Sequence, residues 1–499
     1  MPTVIYCVQT NLYTLSMLIA SNIKKEDISL VSCLQSTSEM VFIEEDDNAA
    51  IARLREQAGQ YDPAAHHGRR LEAYLILSEA TALWQLQTHG IPHDLQEHVD
   101  LVATTINDLV AKSIFVKLPG IPSPYPSLDR TPITRDSDTT VHLVLVGLNQ
   151  RCEALALNAA LVAHYPNYCR DTRLRTRITI IDDNIHASRD ALLQRYKHLF
   201  DNCYYRLLDL GEDNPTCHVH RPMYEGKRQD FVDIEWEFIN GRLSNNAIRQ
   251  KLTEWSASSR QQLTIALCHD DETRCYVEAM SLPESVYQHH VAVLCHNSRQ
   301  DLLGLLTDGG KRNSIYPYGK QCANLDRLKK LKQMGRCVNA VYHHCFSLPA
   351  GVPITAPVSI DKQTLEPLWR SVDMLPKVYS NLFNAMTMGT KMHSIGHDPH
   401  DWTAYYALSR EEIDLLTEVE HNRWSVEELI LGFRPVTDAE QQQVEKDISM
   451  KKELRRDKIH YDLRNYNDLR EDSTGKNANV YDMALTQSIP LIIKTCITD

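Results

Sequence analysis

No stretch of this sequence approaches the roughly eighteen consecutive apolar residues that a membrane-spanning helix requires. Membrane insertion is therefore not expected. The opening residues, MPTVIYCVQTN, carry neither the basic flank nor the apolar run of a secretory signal, so a cytoplasmic location is expected. There are 13 cysteines, yet no CxxC pair and none of the spacings of a structural zinc site. They read as reduced thiols rather than as a disulfide or metal framework. An excess of positive charge is also missing: 65 acidic residues against 53 basic ones give a formal net charge of −12. This excludes a general affinity for nucleic-acid backbone or anionic lipid. The chain has no P-loop, no G-x-S-x-G elbow and no H-E-x-x-H helix. No catalytic residue is assigned, and the expectation leans away from an enzyme.

What is present is the composition of a folded protein, 43% hydrophobic and 24% charged over 499 residues. That length predicts three or four units, at about 100–200 residues per domain. Residues 4–8, 12–20 and 28–33 alternate as strand, helix and strand, and 73–77 and 113–118 read as later strands, giving an α/β unit over 1–125. The segment 119–138 (PGIPSPYPSLDRTPITRDSD) is rich in Pro, Ser and Asp and predicts a linker, placed at 126–140. A second α/β unit, 141–322, starts with VHLVLVG and returns as RITIID, with strands expected at 204–210, 263–268 and 291–295 and a helix at 245–256. A helical connector follows at 323–364, with a break at 349–357, and a mostly helical module occupies 365–499. The fold class expected is thus tandem Rossmann-like parallel-sheet domains followed by a helical module.

A dinucleotide site needs a tight turn after the first strand, so that phosphate oxygens meet the amides of the next helix, and an acid ending the second strand to bind a ribose hydroxyl. In the second unit the turn is Gly147-Leu148-Asn149-Gln150-Arg151-Cys152, and Asp182 with Asp183 ends the second strand. Only the first glycine of G-x-G-x-x-G is present; Asn149 tolerates positive φ and could complete the turn. A working site and a sheet that has lost its ligand are both open on these residues. The first unit has no glycine after its first strand (Cys7-Val8-Gln9-Thr10-Asn11) and is read as structural. The phrase VHLVLVGLNQRCEALALNAA…TRITIIDDN resembles the TrkA-N type of NAD-binding domain over about 141–300, and the cofactor this implies is NAD or a related nucleotide. His269-Asp270-Asp271, at the carboxyl end of a predicted strand, is a further candidate lining of that cleft.

In the module, Ser409 and Glu412 predict a capping box opening a helix that Gly432 can end. Leu415, Val419, Val426, Ile430 and Phe433 form one apolar stripe, and Glu420, Arg423, Trp424 and Glu427 recur beside it. Carboxylate, guanidinium and indole together suit a flat polar ring; a structural ion pair beside a packed tryptophan is the plainer alternative. The phrase Glu420-His421-Asn422-Arg423-Trp424, followed by Leu429 and Gly432-Phe433, resembles the signature of the RyR domain of ryanodine receptors and of bacterial RyR-domain proteins. Lys458, His460, Asp462, Leu463, Tyr466 and Leu469, then Asp482 and Ile489-Pro490, resemble the family's later segments, and Trp369 with Ser380-Asn381 resembles the pattern preceding the signature. The resemblance covers about 365–495. Phe433 stands where the family usually has tryptophan, and 438–456 is longer and more charged than the family pattern. The resemblance implies a ligand site using Glu420, Arg423, Trp424, His460, Asp462 and Tyr466, and bacterial relatives join such a domain to a TrkA-N-like one.

Cys217-His218-Val219-His220 lacks a fourth metal ligand, and His343-His344-Cys345 sits on a predicted helix where neighbours point apart. The functional expectation is a nucleotide sensor, for NAD or an ADP-ribose-like ligand, that couples a Rossmann domain to the RyR-like module. An enzyme using or cleaving such a nucleotide and a structural assembly module are the alternatives; homo-oligomerisation is left open.

Overall fold

The computed structural model describes residues 5–7, 39–44, 46–66, 68–210, 215–224, 230–297, 314–349, 352–372, 374–398, 407–470 and 479–497. Four strands, β1 (Ile5–Cys7), β2 (Glu39–Ile43), β3 (Leu71–Leu77) and β4 (Val99–Thr105), form a parallel sheet in sequential order. β3 (LEAYLIL) and β4 (VDLVATT) are buried almost throughout, as expected for parallel strands covered on both faces. The strand expected at 113–118 is not one. Thr105 accepts a hydrogen bond from the Asp108 amide and starts the helix Ile106–Phe115. The true strand, β4, was hidden because Asp100, Thr104 and Thr105 interrupt its apolar run. The helix expected at 12–20 and the strand at 28–33 lie outside the described residues. The order β1-β2-β3-β4 contains no reversal, so the described strands of this unit form no switch-point crevice, unlike a doubly wound Rossmann sheet.

The second sheet contains β5 (Thr140–Val146), β6 (Thr176–Asp182), β7 (Tyr204–Asp209), β8 (Thr216–His220), β9 (Ile234–Asn240), β10 (Gln261–Leu267), β11 (Ala292–His296) and β12 (Ile315–Tyr318). Their order is β12-β11-β10-β5-β6-β9-β7-β8, parallel except for the β7–β8 hairpin. β9 (IEWEFIN) was not expected from the sequence; its acids at alternate positions disguise a strand whose apolar residues are all buried and which pairs with β6 and β7. The order reverses between β5 and β10, which opens a crevice at their carboxyl ends, the place where open α/β sheets bind ligands.

The proline-rich 119–138 segment has no helix or strand, but it is packed rather than loose. Tyr125, Leu128 and Ile133 are buried, and Asp129 receives His393 Nδ1 at 2.8 Å. The expected connector is equally integral. Its helix Leu325–Ser347 packs on Lys362–Arg370, Leu375–Met386 and Asn479–Ile497. Buried Lys332 lies 2.9 Å from Asp100 and 3.0 Å from Glu72, Arg336 reaches Asp100 at 3.0 Å, and the Trp369 indole donates to Asp100 at 2.9 Å. These cations hold the Asp100 carboxyl well below the usual range despite full burial. The first sheet and the helical module are therefore joined through a charge-balanced interior.

The module itself adds Met388–Ser394, Arg410–Ile430, Asp438–Lys446, Met450–Arg456 and Tyr466–Arg470, with a short parallel pairing of β13 (Arg434–Pro435) and β14 (Ile459–His460). Both bonds of the capping box are made: Glu412 N to Ser409 Oγ at 3.2 Å and Ser409 N to Glu412 Oε2 at 2.7 Å. Gly432, at φ +86°, ends the helix. Among the described residues no helix is long and apolar enough to cross a membrane.

Candidate functional site

The crevice between β5 and β10 collects the residues singled out in the second α/β unit. Gly147 supplies the turn at φ +93°. Asn149 does not help to make that turn. It is extended at φ −140° and caps the helix Gln150–Val162, its side-chain oxygen accepting from the amides of Arg151 and Cys152 at 3.1 Å each. Those are the amides a phosphate would use. The Asn149 amide nitrogen in turn donates to Cys268 O at 2.7 Å, and Arg151 Nη1 donates to the same carbonyl at 2.9 Å. Asp182 accepts from Leu148 N and Asn184 N, both at 2.8 Å, and Asp183 pairs with Arg242 at 3.0 Å. His269 completes the filling. Its Nδ1 lies 2.6 Å from where a Cβ on Gly147 would be, and its Nε2 is 2.9 Å from Glu278 Oε2. Asp270 faces the same crevice through Asn149 at 3.2 Å, whereas Asp271 caps the next helix, Glu272–Ser281. Gly147, Asn149, Asp182, Asp183, His269 and Asp270 thus converge, and the polar side chains among them are partnered by the surrounding protein. A dinucleotide entering here must swing His269 aside and exchange the Asn149 cap for its own phosphate oxygens.

The helix Arg410–Ile430 divides the other candidates between its faces. Glu420, Arg423 and Glu427 are wholly buried. Arg423 donates through Nε to Glu420 Oε2 at 3.0 Å, through Nη2 to Glu420 Oε1 at 2.8 Å, and through Nη1 to Glu427. Asn384 Nδ2 donates to Glu420 Oε1 at 2.7 Å, and Lys391 Nζ bonds Glu420 Oε2. Two carboxylates face two cations, and Arg423 with Lys391 holds the Glu420 carboxyl down to about 2. Three of the five guanidinium N–H groups are bonded within this network, and the side chain is wholly buried. Arg423 is a structural centre.

The adjoining face is different. Trp424 is half-buried, and the ring of His460 stands 4.8 Å from it at 75°. Phe433 lies 6.0 Å on from His460, and Lys458 Nζ sits 5.6 Å over the Phe433 ring. Burial and nearby Arg455 push His460 down to about 3, so its imidazole is neutral, with Nδ1 accepting from Asp462 N at 3.2 Å. Asp462 is engaged by Lys451 at 3.1 Å. Tyr466 is buried with its ring 5.8 Å from His421, which is itself tied to Asp482 at 3.3 Å and Arg464 O at 2.8 Å. Of the six candidates in the module, Trp424 and His460 share one face, Asp462 and Tyr466 support it, and Glu420 with Arg423 points into the interior.

Sequence reasoning missed Glu428. It is 3% exposed, its Oε2 has no hydrogen-bond partner, and burial pushes its carboxyl up to about 7 against the pull of Arg455 and Lys458. The signal was its spacing of one helical turn from Trp424. Lys391 was also missed, because its link to Glu420 crosses 29 residues and leaves no local pattern. Among the described residues no cluster of His, Cys, Asp and Glu could hold a metal ion; 217–220 lies on the edge strand β8 and 343–345 on a helix. No family model, no curated protein and no solved structure matches this chain.

Proposed function

We propose that the protein senses a nucleotide-type ligand, NAD or ADP-ribose-like, and that the C-terminal module is where the ligand is first recognised. The observation that supports this reading is mechanical. The helix Gln150–Val162 carries the Gly147 turn at its N-terminus and packs along its length against Ile106–Phe115, Leu375–Met386 and the helix of Trp424, Arg410–Ile430. Asn158, in its middle, donates to Asp108 Oδ1 at 2.9 Å. A shift of this one helix on filling or emptying the central crevice is felt at both neighbouring units, because packed interiors transmit displacement rather than absorb it. The self-satisfied crevice also favours a second reading, in which the second α/β unit is a scaffold and the module alone binds.

Mass spectrometry of small molecules released from the heat-denatured protein tests the proposal, followed by calorimetric titration of the wild type, Asp182→Ala and Trp424→Ala with NAD, ADP-ribose and AMP. Sensing predicts an intact nucleotide and weaker binding in Trp424→Ala. An added loss in Asp182→Ala, about 1–3 kcal/mol for a charge-assisted hydrogen bond, places a ligand in the crevice as well; no loss there supports the scaffold reading. Turnover of added nucleotide identifies an enzyme instead, and no binding of any probe overturns the proposal.

A further inference from the structure

We infer that Glu428, Trp424 and Arg455 form a subsite for a nucleotide whose base carries an exocyclic amino group, with Glu428 accepting the amino hydrogen bond, Trp424 stacking on the ring and Arg455 meeting the phosphate. The inference rests on the proposal that the module binds a nucleotide and adds which part of it is read. Three independent observations carry it.

The first is an unmet acceptor. Glu428 Oε2 is buried without a partner, and an orphaned buried acceptor costs the full desolvation of the group. Its neighbour Glu427, on the interior face, also has one buried oxygen without a partner, but its other oxygen is bonded by Arg423, whereas Glu428 lies one turn from the half-buried Trp424. An N–H donor from outside the chain supplies what the fold does not. The second is placement. Glu428 follows Trp424 by one turn, so the two side chains stand one above the other on the same face of Arg410–Ile430. His460, from β14, stands edge-on to Trp424 on that face and leaves the indole half-buried. A flat ring laid against the half-buried indole points its edge along the helix toward Glu428. The third is charge. Arg455 is exposed and acts on both Glu428 and His460. Lys458 bonds the carbonyls of Thr88 and Leu431 at 2.7 and 2.8 Å, which fixes it as a structural cation and leaves Arg455 as the exposed one. Arg455 belongs to the charged 438–456 segment, which is anchored through a small core of Val436, Val444, Leu454, Ile459 and Tyr461. An amino-bearing base and an anionic tail match a buried acceptor one turn from the indole and an exposed guanidinium near it.

The test compares AMP with purine riboside 5′-monophosphate, which differs only in lacking the amino group, and with adenosine, which lacks the phosphate, by calorimetry on the full chain. The wild type is expected to prefer AMP over the amino-free analogue by about tenfold, as for a hydrogen bond to an otherwise unsatisfied buried acceptor. Glu428→Leu is expected to abolish that preference while the analogue's own affinity is unchanged, and Arg455→Ala to abolish the preference for AMP over adenosine. Trp424→Ala is expected to weaken all three ligands. Melting curves accompany each variant, and Glu428→Gln, which retains an acceptor oxygen, is expected to keep part of the preference. If Glu428→Leu binds AMP and the analogue in the wild-type ratio, the subsite is wrong while nucleotide binding stands. If the wild type binds none of the three, the underlying proposal falls with it.

Discussion

Two faces of one helix, Arg410–Ile430, carry the same kinds of side chain and partner them differently. On the inner face Glu420, Arg423 and Glu427 form a wholly buried network that Lys391 and Asn384 join through Glu420. On the outer face Trp424 is half-buried and Glu428 keeps an unpartnered oxygen. Residue type therefore does not decide how a charged side chain is partnered; the groups brought by distant elements do. Asn384 and Lys391 come from helices ending before residue 395, and they are what converts a charged stripe into an interior.

The sharpest way to break this comparison is to remove the centre of the inner face. Arg423→Ala leaves Glu420 with Lys391 and strands Glu427, both in full burial, so a loss of about 3–5 kcal/mol is expected. Urea unfolding of the full chain measures it. A loss below about 1 kcal/mol would show that the network is not a structural centre, and Arg423 would again be a candidate ligand contact.

A smaller effect sharpens the outer face. Burial raises the Glu428 carboxyl from its ordinary range to about 7, so the folded state favours the protonated form. Its stabilising contribution is then complete at pH values below the unfolded pKa near 4.5, declines as the pH rises toward 7, and stays lost above. Glu428→Gln keeps the neutral form at every pH. The variant is expected to match the wild type near pH 4.5 and to exceed it by about 2–3 kcal/mol at pH 8. Parallel stability curves across that range would contradict an unpaired buried carboxyl at this position.

The same contrast explains what the sequence made legible. The capping box at Ser409, the helix stop at Gly432 and the long helix after Asn324 depend on neighbours within four residues, and each is where the pattern put it. β9 and β4 escaped because their polar residues are satisfied by other strands and helices: Glu237 of β9 meets Arg206 at 3.3 Å, and Asp100 of β4 meets Lys332, Arg336 and Trp369. The crevice residues Gly147, Asn149 and Asp182 were legible as a group because a strand–turn–helix motif is local. That His269 would lie over Gly147 was not, since the contact joins residues 122 positions apart through the β5–β10 pairing.

The smallest expected effect tests that last contact, and with it the contrast between a crevice filled by its own side chains and an outer face left incomplete. Gly147 is at φ +93°, a conformation L side chains rarely adopt, and a methyl there would meet His269 Nδ1 at 2.6 Å. Gly147→Ala combines both penalties, and a loss of about 1–3 kcal/mol is expected. His269 is anchored by Glu278, which also receives Arg274 at 2.9 Å, so the ring does not turn away freely. Removing the ring separates the two contributions. In a His269→Ala background the steric part disappears and only the backbone strain remains, so the same glycine substitution is expected to cost less, with the difference appearing as a coupling energy in the double-mutant cycle. A coupling near zero would mean that His269 does not occupy the crevice in solution. The Gly147 turn would then stand open to a phosphate, and the central unit, rather than the Trp424 face, would be the first place to seek the ligand.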